Sequence, residues 1–401
     1  MSNPRKMRHI GFLLRAIAAY FVGAQIMAAE PSDFHDRLNA FGFNLAQKLD
    51  ASGKDNLLIS PASIELALGM VYGGASGDTA TEMSRALGLT ATSRNQALSE
   101  LGDLQTALTN PGEGITLKLA NAAWVDQSIH LNKSFASDLQ EKFNATLQPA
   151  DFSEAAIASQ INRWVSTATG GKISHLLDNP PPPPLFLANA IYFHAKWNAP
   201  FDKQQTQQGP FHPTAGQSLT VSMMHRTDTF PYAKGPGFAV LALPYAGSRF
   251  AMYCFLPDKS VGDLIATLQK TSWRELATSL RPTEGSVTLP KFKMEYGATL
   301  NNALVQLGFG IAFNPTRADF ERITNNRPRL YISDVLHKAL LEVDEEGSTA
   351  AAVTGITMRA TAIMQPKETF NLVFDHPFVT AIVDTKTSVI LFLATVAAPS
   401  L

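Results

Sequence analysis

The apolar positions along the chain alternate between helical and strand spacing, which predicts a continuous mixed fold. Phe34–Leu49 carries Leu38, Phe41, Phe43, Leu45 and Leu49 as one stripe, the signature of an amphipathic helix. Asn56–Ile59 reads as a short strand ending at Ser60, and Pro61 suits the first turn of the helix that follows. Glycines at 73, 74 and 77 end that helix, and Asp78 or Thr79 is expected to cap the next one, which runs through Leu87. Ile115–Val125 alternates as a strand, and Ala155–Ser166 is an amphipathic helix stopped by Gly170-Gly171. After a five-proline connector, Pro180–Pro184, the near-continuous apolar run Leu185–Trp197 predicts a central strand buried on both faces. Phe238–Pro244 and Arg249–Leu256 pair around Tyr245–Ser248. Thr288–Phe292 is a further strand, and Leu300–Leu307 is a helix ended by Gly308. Leu372–Phe374, Phe378–Asp384 and Val389–Val396 complete the chain as strands. No repeat or flexible linker divides it, so one α+β domain is expected.

One stretch fits neither spacing. Leu340–Val343 starts like a strand and passes through Asp344, Glu345 and Glu346 to Gly347. Small uncharged residues follow: Ser348, Thr349, Ala350, Ala351, Ala352, Val353, Thr354 and Gly355. Alanine favours a helix, but the β-branched residues and the two glycines oppose one. With period two, Ser348, Ala350, Ala352 and Thr354 share one face and Thr349, Ala351 and Val353 the other. Neither face carries a charge before Arg359, so the segment can enter a sheet without burying one. Taken alone, it reads equally well as a surface linker.

Composition narrows the function classes. The 401 residues suit one large domain or two ordinary ones, and 45% hydrophobic residues exclude a disordered chain. With 33 basic against 34 acidic residues, no bulk charge draws the protein to nucleic acid or an anionic membrane. The single Cys254 excludes an internal disulfide, and its apolar surroundings predict a buried thiol. Arg5, Lys6 and Arg8 precede an apolar stretch, Ile10–Met27, that ends in Ala28-Ala29. That order predicts a signal peptide over residues 1–29, a domain over 30–401, and a secreted or periplasmic destination. Arg15 interrupts the apolar core. An uncleaved anchor is the alternative, although the charge-free run Ala16–Ala29 is short for a span.

The sequence carries no recognisable catalytic motif. The nine histidines show no zinc-binding spacing, and no phosphate loop is present. Gly308-Phe309-Gly310 lacks the third glycine of a dinucleotide fingerprint, and Asp78 stands where a Gly-x-Ser-x-Gly elbow needs glycine. No enzyme activity and no cofactor are expected. Asn132-Lys133-Ser134 and Asn144-Ala145-Thr146 match the glycosylation pattern.

Several ordered blocks together resemble one family, the serpins, from about Phe34 to Pro399. They are Asn56–Ser63, Ile161–Val165 with Gly171–Ile173, Leu187–Phe193 with Lys196-Trp197, and Met223-Met224. Leu243–Tyr245, Phe255–Asp258, Leu289–Phe292, Ile332–Ala339 and Asp375–Phe378 continue the series. Departures at Ala62, Ser222 and Ala394-Thr395 touch packing only. The resemblance implies a large central sheet, two smaller sheets, about nine helices and an exposed reactive loop at Gly347–Met364. It also implies a mechanism: a protease cleaves the loop, which inserts as a new central strand while the acyl-enzyme is still attached. The partner is then a serine protease, with cysteine proteases as a second class, and the inhibitor is expected to be a monomer.

The resemblance assigns residue roles too. Glu345 to Thr354 are the hinge. Ser60, Ser63, Asn189 and His337 match a buried polar cluster under the middle of the sheet. Glu345 and Lys291 match a pair at its top near Trp197, worth about 0–1 kcal/mol if exposed. Counting fourteen residues from Gly347 gives a scissile bond at Thr361–Ala362, which suits an elastase-like pocket. Arg359 is a trypsin-like alternative, with Met358, Ile363 and Met364 open to other proteases. A non-inhibitory carrier or chaperone of the same family, and a hydrolase with an unrecognised site, are the competing readings.

Overall fold

The computed structural model describes residues 34–50, 53–143, 145–324, 329–347 and 369–400. In chain order the described residues form helix α1 (Phe34–Leu49), strand β1 (Leu57–Ile59), helices α2 (Pro61–Gly74), α3 (Gly77–Ala86) and α4 (Arg94–Thr109), and strand β2 (Ile115–Asp126). Helix α5 (Lys133–Phe143), β3 (Thr146–Ala150), α6 (Ala156–Ala168), β4 (Leu185–Ala195), β5 (Gln207–Phe211), β6 (Leu219–Gly235), β7 (Phe238–Pro244) and β8 (Phe250–Pro257) follow. Helices α7 (Val261–Leu268) and α8 (Trp273–Ser279), β9 (Arg281–Pro290), β10 (Phe292–Thr299), α9 (Asn301–Leu304), β11 (Ile332–Val343), β12 (Thr369–Val373), β13 (Phe378–Asp384) and β14 (Val389–Val396) complete the order.

The strands build a five-stranded sheet, β10-β11-β4-β2-β3, and a nine-stranded path, β1-β14-β13-β8-β7-β6-β9-β12 with β5 on β6. The 17-residue β6 joins the two smaller sheets: one end pairs with β7 and the rest with β9 and β5. In the five-stranded sheet β11 runs parallel to β4, and both their outer neighbours, β10 and β2, are antiparallel. The sheet's other parallel pair, β2 with β3, lies at its edge, and the parallel seam between β4 and β11 in the middle is where the site is built.

Period-two alternation explains how the sheet is buried. Leu185, Leu187, Ile191 and Phe193 of β4 enter the main core, whereas Phe186, Ala188, Ala190 and Tyr192 pack under α6 on the opposite face. Trp124 and Trp164 meet edge to face at 4.8 Å beneath that helix. Gly170 and Gly171, both at positive φ, end α6, with the Gly171 N–H bonded to the Ser166 carbonyl. Cys254 is buried on β8, and burial pushes its thiol pKa up, so it behaves as an apolar residue.

Four local expectations are corrected. Helix α3 begins at Gly77, and Thr79 caps nothing because its buried hydroxyl accepts from the Asp319 N–H at 2.9 Å. Thr288–Phe292 is not one strand: β9 stops at Pro290, β10 starts at Phe292, and the Lys291 N–H donates to the Ser222 carbonyl between them. The helix expected over Leu300–Leu307 keeps α geometry only to Leu304, then widens into a π turn in which Gly308 takes φ +100° and Phe309 is buried. Strand β11 begins at Ile332, eight residues before the predicted start.

One core residue is costly. Glu65 on α2 is 3% exposed, and its Oε1 has no hydrogen-bond partner among the described residues. Burial raises its pKa well above the ordinary value, with Arg37 pulling weakly the other way. The folded state therefore holds this proton more tightly, and stability is lost as pH rises from the ordinary glutamate range through the raised value. Glu65→Leu is expected to stabilise the fold by about 1–3 kcal/mol at pH 7. The gain shrinks toward pH 4. Thermal melts across pH check this, and an unchanged or lower midpoint at pH 7 contradicts it.

Candidate functional site

The parallel seam between β4 and β11 is fastened at two levels, its middle and its top. At the middle, sheet register aligns Asn121 of β2, Asn189 of β4 and His337 of β11 in one row across three strands. The side chain of Asn189 donates to the Ser63 carbonyl at 3.0 Å and contacts the Ser63 hydroxyl and the Asn121 carboxamide oxygen. Its own Oδ1 lies 2.5 Å from His337 Nδ1, directly across the seam. The Ser60 N–H donates to His337 Nε2 at 3.3 Å, and Ser60 Oγ caps α2 by accepting from the Ser63 N–H. Ser60, Ser63, Asn189 and His337 are all fully buried, so the sequence-predicted cluster is assembled as one network.

This network fixes the imidazole's protonation. Because Nε2 must accept from Ser60, the single proton of the neutral ring sits on Nδ1 and is donated to Asn189. Burial lowers the His337 pKa to about 3. A second proton on Nε2 would also set two donors face to face.

At the top, Asp344, Glu345, Glu346 and Gly347 form a turn in which Asp344 and Gly347 exchange backbone hydrogen bonds of 3.3 Å. Trp197 holds that turn with two donors: its indole Nε1 reaches the Asp344 carbonyl and its backbone N the Glu346 carbonyl, each at 2.9 Å. The indole itself is stacked on Tyr245 at 4.4 Å. Gly347 takes φ +106°, and a Cβ there would overlap the backbone of Ala195–Trp197, so both conformation and space demand glycine.

Two ion pairs close the same turn. Lys291 Nζ lies 2.8 Å from Glu345 Oε2, Thr206 donates to Glu345 Oε1 at 2.8 Å, and Lys203 pairs with Glu346. The Glu345 side chain is only 6% exposed, so this is not the exposed pair considered from sequence. Burial opposes its charge, but the hydrogen bonds from Lys291 and Thr206 outweigh it and hold the carboxyl below the ordinary range. Lys291 is free to reach because it occupies the break between β9 and β10.

Glu345, Glu346, Gly347, Trp197 and Lys291 thus meet at the top of the seam. Ser348, Thr349, Ala350, Ala351, Ala352, Val353, Thr354, Arg359, Thr361 and Ala362 lie outside the described residues, as does Asn144. Sequence reasoning missed Asn121, Lys203, Thr206 and Asp344. Asn121 had a signal, a lone amide at the centre of an apolar strand; Lys203 and Thr206, in a polar run, had none. The Asn132 carboxamide donates to the Glu321 and Arg322 carbonyls. Among the described residues no acidic, histidine or cysteine group is arranged to hold a metal ion, and no helix is long and apolar enough to cross a membrane.

A family model described as serpin (serine protease inhibitor) matches residues 36–399. Intracellular coagulation inhibitor 2 of Tachypleus tridentatus is 35% identical over 369 residues, covering 90% of this chain and 89% of that protein. Leukocyte elastase inhibitor of Bos taurus is 36% identical over 359 residues, covering 86% and 93%. The crystal structure of human thyroxine-binding globulin has a TM-score of 0.82 at 26% identity and covers 92% of this chain and 99% of that one.

His337 makes the seam sensitive to acid. Its folded-state pKa lies below the unfolded value near 6.5, so the unfolded chain binds the extra proton between those limits and stability falls as pH drops from about 6.5 to about 3. One proton sets a maximum slope of about 1.4 kcal/mol per pH unit. His337→Gln is expected to lower stability at pH 7 and flatten that slope. Unfolding followed from pH 7 to 4 tests it, and an unaltered slope contradicts the assignment.

Proposed function

The chain belongs to the serpin family, and on that premise we propose that it is a suicide-type inhibitor of serine endopeptidases, with cysteine endopeptidases as a second class. The protease cleaves near Thr361–Ala362, forms an acyl-enzyme, and is trapped as the segment after Gly347 enters the seam between β4 and β11. The observation that carries this reading is the turn at Asp344–Gly347, which already reverses the chain antiparallel to β11. Extending its register would set Ser348 opposite Val343, Ala350 opposite Leu341, Ala352 opposite Ala339 and Thr354 opposite His337. Opposed residues share a face, and those four β11 residues are buried on the core side. The side chains sent inward are small and uncharged. A parallel pair would be replaced by two antiparallel pairs, the more favourable kind per residue.

Backbone bonding alone does not drive the step, since ordering a residue costs about 1–2 kcal/mol and a hydrogen bond returns about 1. Side-chain fit and release of native strain must supply the rest, and a buried charge would cancel them. The likeness to leukocyte elastase inhibitor supports an elastase-like target. We further propose removal of residues 1–29 and export of the domain as a monomer.

A carrier is the second reading, favoured by the likeness to thyroxine-binding globulin. It requires no inward-facing small residues after Gly347.

Incubation with a protease panel, read on denaturing gels with mass mapping, separates the two. The inhibitor is expected to give a covalent complex and a released peptide beginning at Ala362, from exported protein lacking residues 1–29. Ala350→Arg, which puts a charge on the core side, is expected to turn it into a substrate. Thr349→Arg, opposite the half-exposed Glu342, retains trapping. Undiminished trapping by Ala350→Arg, or no complex from the unaltered protein, refutes the insertion reading.

A further inference from the structure

We propose that His194 is a proton-operated latch on the outer face of the seam, opposing strand entry when charged, an inference about regulation that rests on the inhibitor reading above. One step beyond the Leu341–Phe193 pair, the register sets Glu342 of β11 across the seam from His194 of β4. Both alternate outward, away from the Asn189–His337 network, and both are half-buried. Lys293 of β10 flanks Glu342 and pairs with it at 2.8 Å, which holds that carboxylate in place. Thr116 of β2 flanks His194 on the other side. The row therefore reads lysine, glutamate, histidine, threonine, and the seam runs between the glutamate and the histidine.

The charged groups around His194 divide by the side of the seam they occupy. Glu342 and Asp344, which favour its charged form, both belong to the β11 side. Lys172, which opposes that charge, holds its ammonium 5.3 Å from the ring centre of Tyr192 on β4 itself. The Tyr192 ring in turn lies 6.2 Å from the imidazole. Burial and Lys172 keep the His194 pKa below the ordinary range, so the ring is neutral at pH 7.5 and charges in acid. In the register derived above, an entering strand places Thr349 between Glu342 and His194. Their strands then stand two spacings apart, about 9–10 Å. Opening thus takes both carboxylates away from a charged His194 and leaves Lys172 beside it. The closed seam binds the proton more tightly than the open one, so by linkage a proton on His194 resists opening.

The test follows uptake of a synthetic peptide copying residues 348–361 by the intact full chain, which needs no protease and so no protease pH response. His337 is the same in every variant, so its own acid effect cancels in the comparison. At pH 7.5 the unaltered protein and His194→Gln are expected to take up the peptide at equal rates. At pH 5 the unaltered protein is expected to be about three- to five-fold slower than His194→Gln, as suits a half-exposed ion pair. Glu342→Gln releases the latch from the other strand and is expected to give the same gain at pH 5, which keeps the test decisive if His194→Gln does not fold. Both gains shrink at high salt. Equal rates at pH 5, or slower uptake by the variants, overturn the latch while uptake itself persists. No uptake by the unaltered protein at either pH instead removes the inhibitor reading, and this inference with it.

Discussion

The hydrogen bond between His337 and Asn189 is the contact on which the arrangement depends. It crosses the one seam in the five-stranded sheet where two central strands run parallel, and it joins side chains from which water is excluded. Its geometry needs a neutral imidazole, which needs Ser60 as a donor, which needs α2 to begin where it does. Three strands and one helix N-terminus are therefore tied through a handful of buried polar atoms. Such a network rigidifies the core when every member is satisfied and becomes costly when one is lost. A closed seam is thus stable against small fluctuations yet separable along one line.

The top of the seam obeys a different rule. There the fastening is charged and partly accessible, with Lys291 and Lys203 on two adjacent glutamates and Trp197 holding the turn beneath them. Releasing these contacts exposes groups that water can solvate, whereas releasing the middle leaves buried donors and acceptors without partners. Opening from the top is the less costly direction, and Gly347, pressed on the backbone of Ala195–Trp197, sits at that end.

Much of this was legible in the sequence because periodicity is strong where burial is one-sided or complete. Helix α1 and strand β7 match their predicted limits, and β4 was recognisable as buried on both faces. Helix α4 was missed: Gly102 interrupts its apolar stripe, and its C-terminal carbonyls are held by Arg249, far away in sequence. Long β6 was missed because its middle, Thr227-Asp228-Thr229, is polar and exposed and breaks the apolar run. Pairing partners were likewise invisible where both are polar. Lys203 and Thr206 look like ordinary surface residues until the fold brings them to Glu346 and Glu345. The four members of the middle cluster could be named only through resemblance, since no local spacing links Ser60 to His337.

The central claim is that the intact chain is held short of its most stable arrangement and that cutting the segment after Gly347 releases it. Comparing the melting temperature of intact protein with that of protein nicked once near Thr361 tests this most directly. Insertion of the freed strand predicts a rise of tens of degrees, which at about 2–4 °C per kcal/mol corresponds to a gain on the order of ten kcal/mol. An unchanged or lowered melting temperature, with the nick confirmed by mass, would contradict the account.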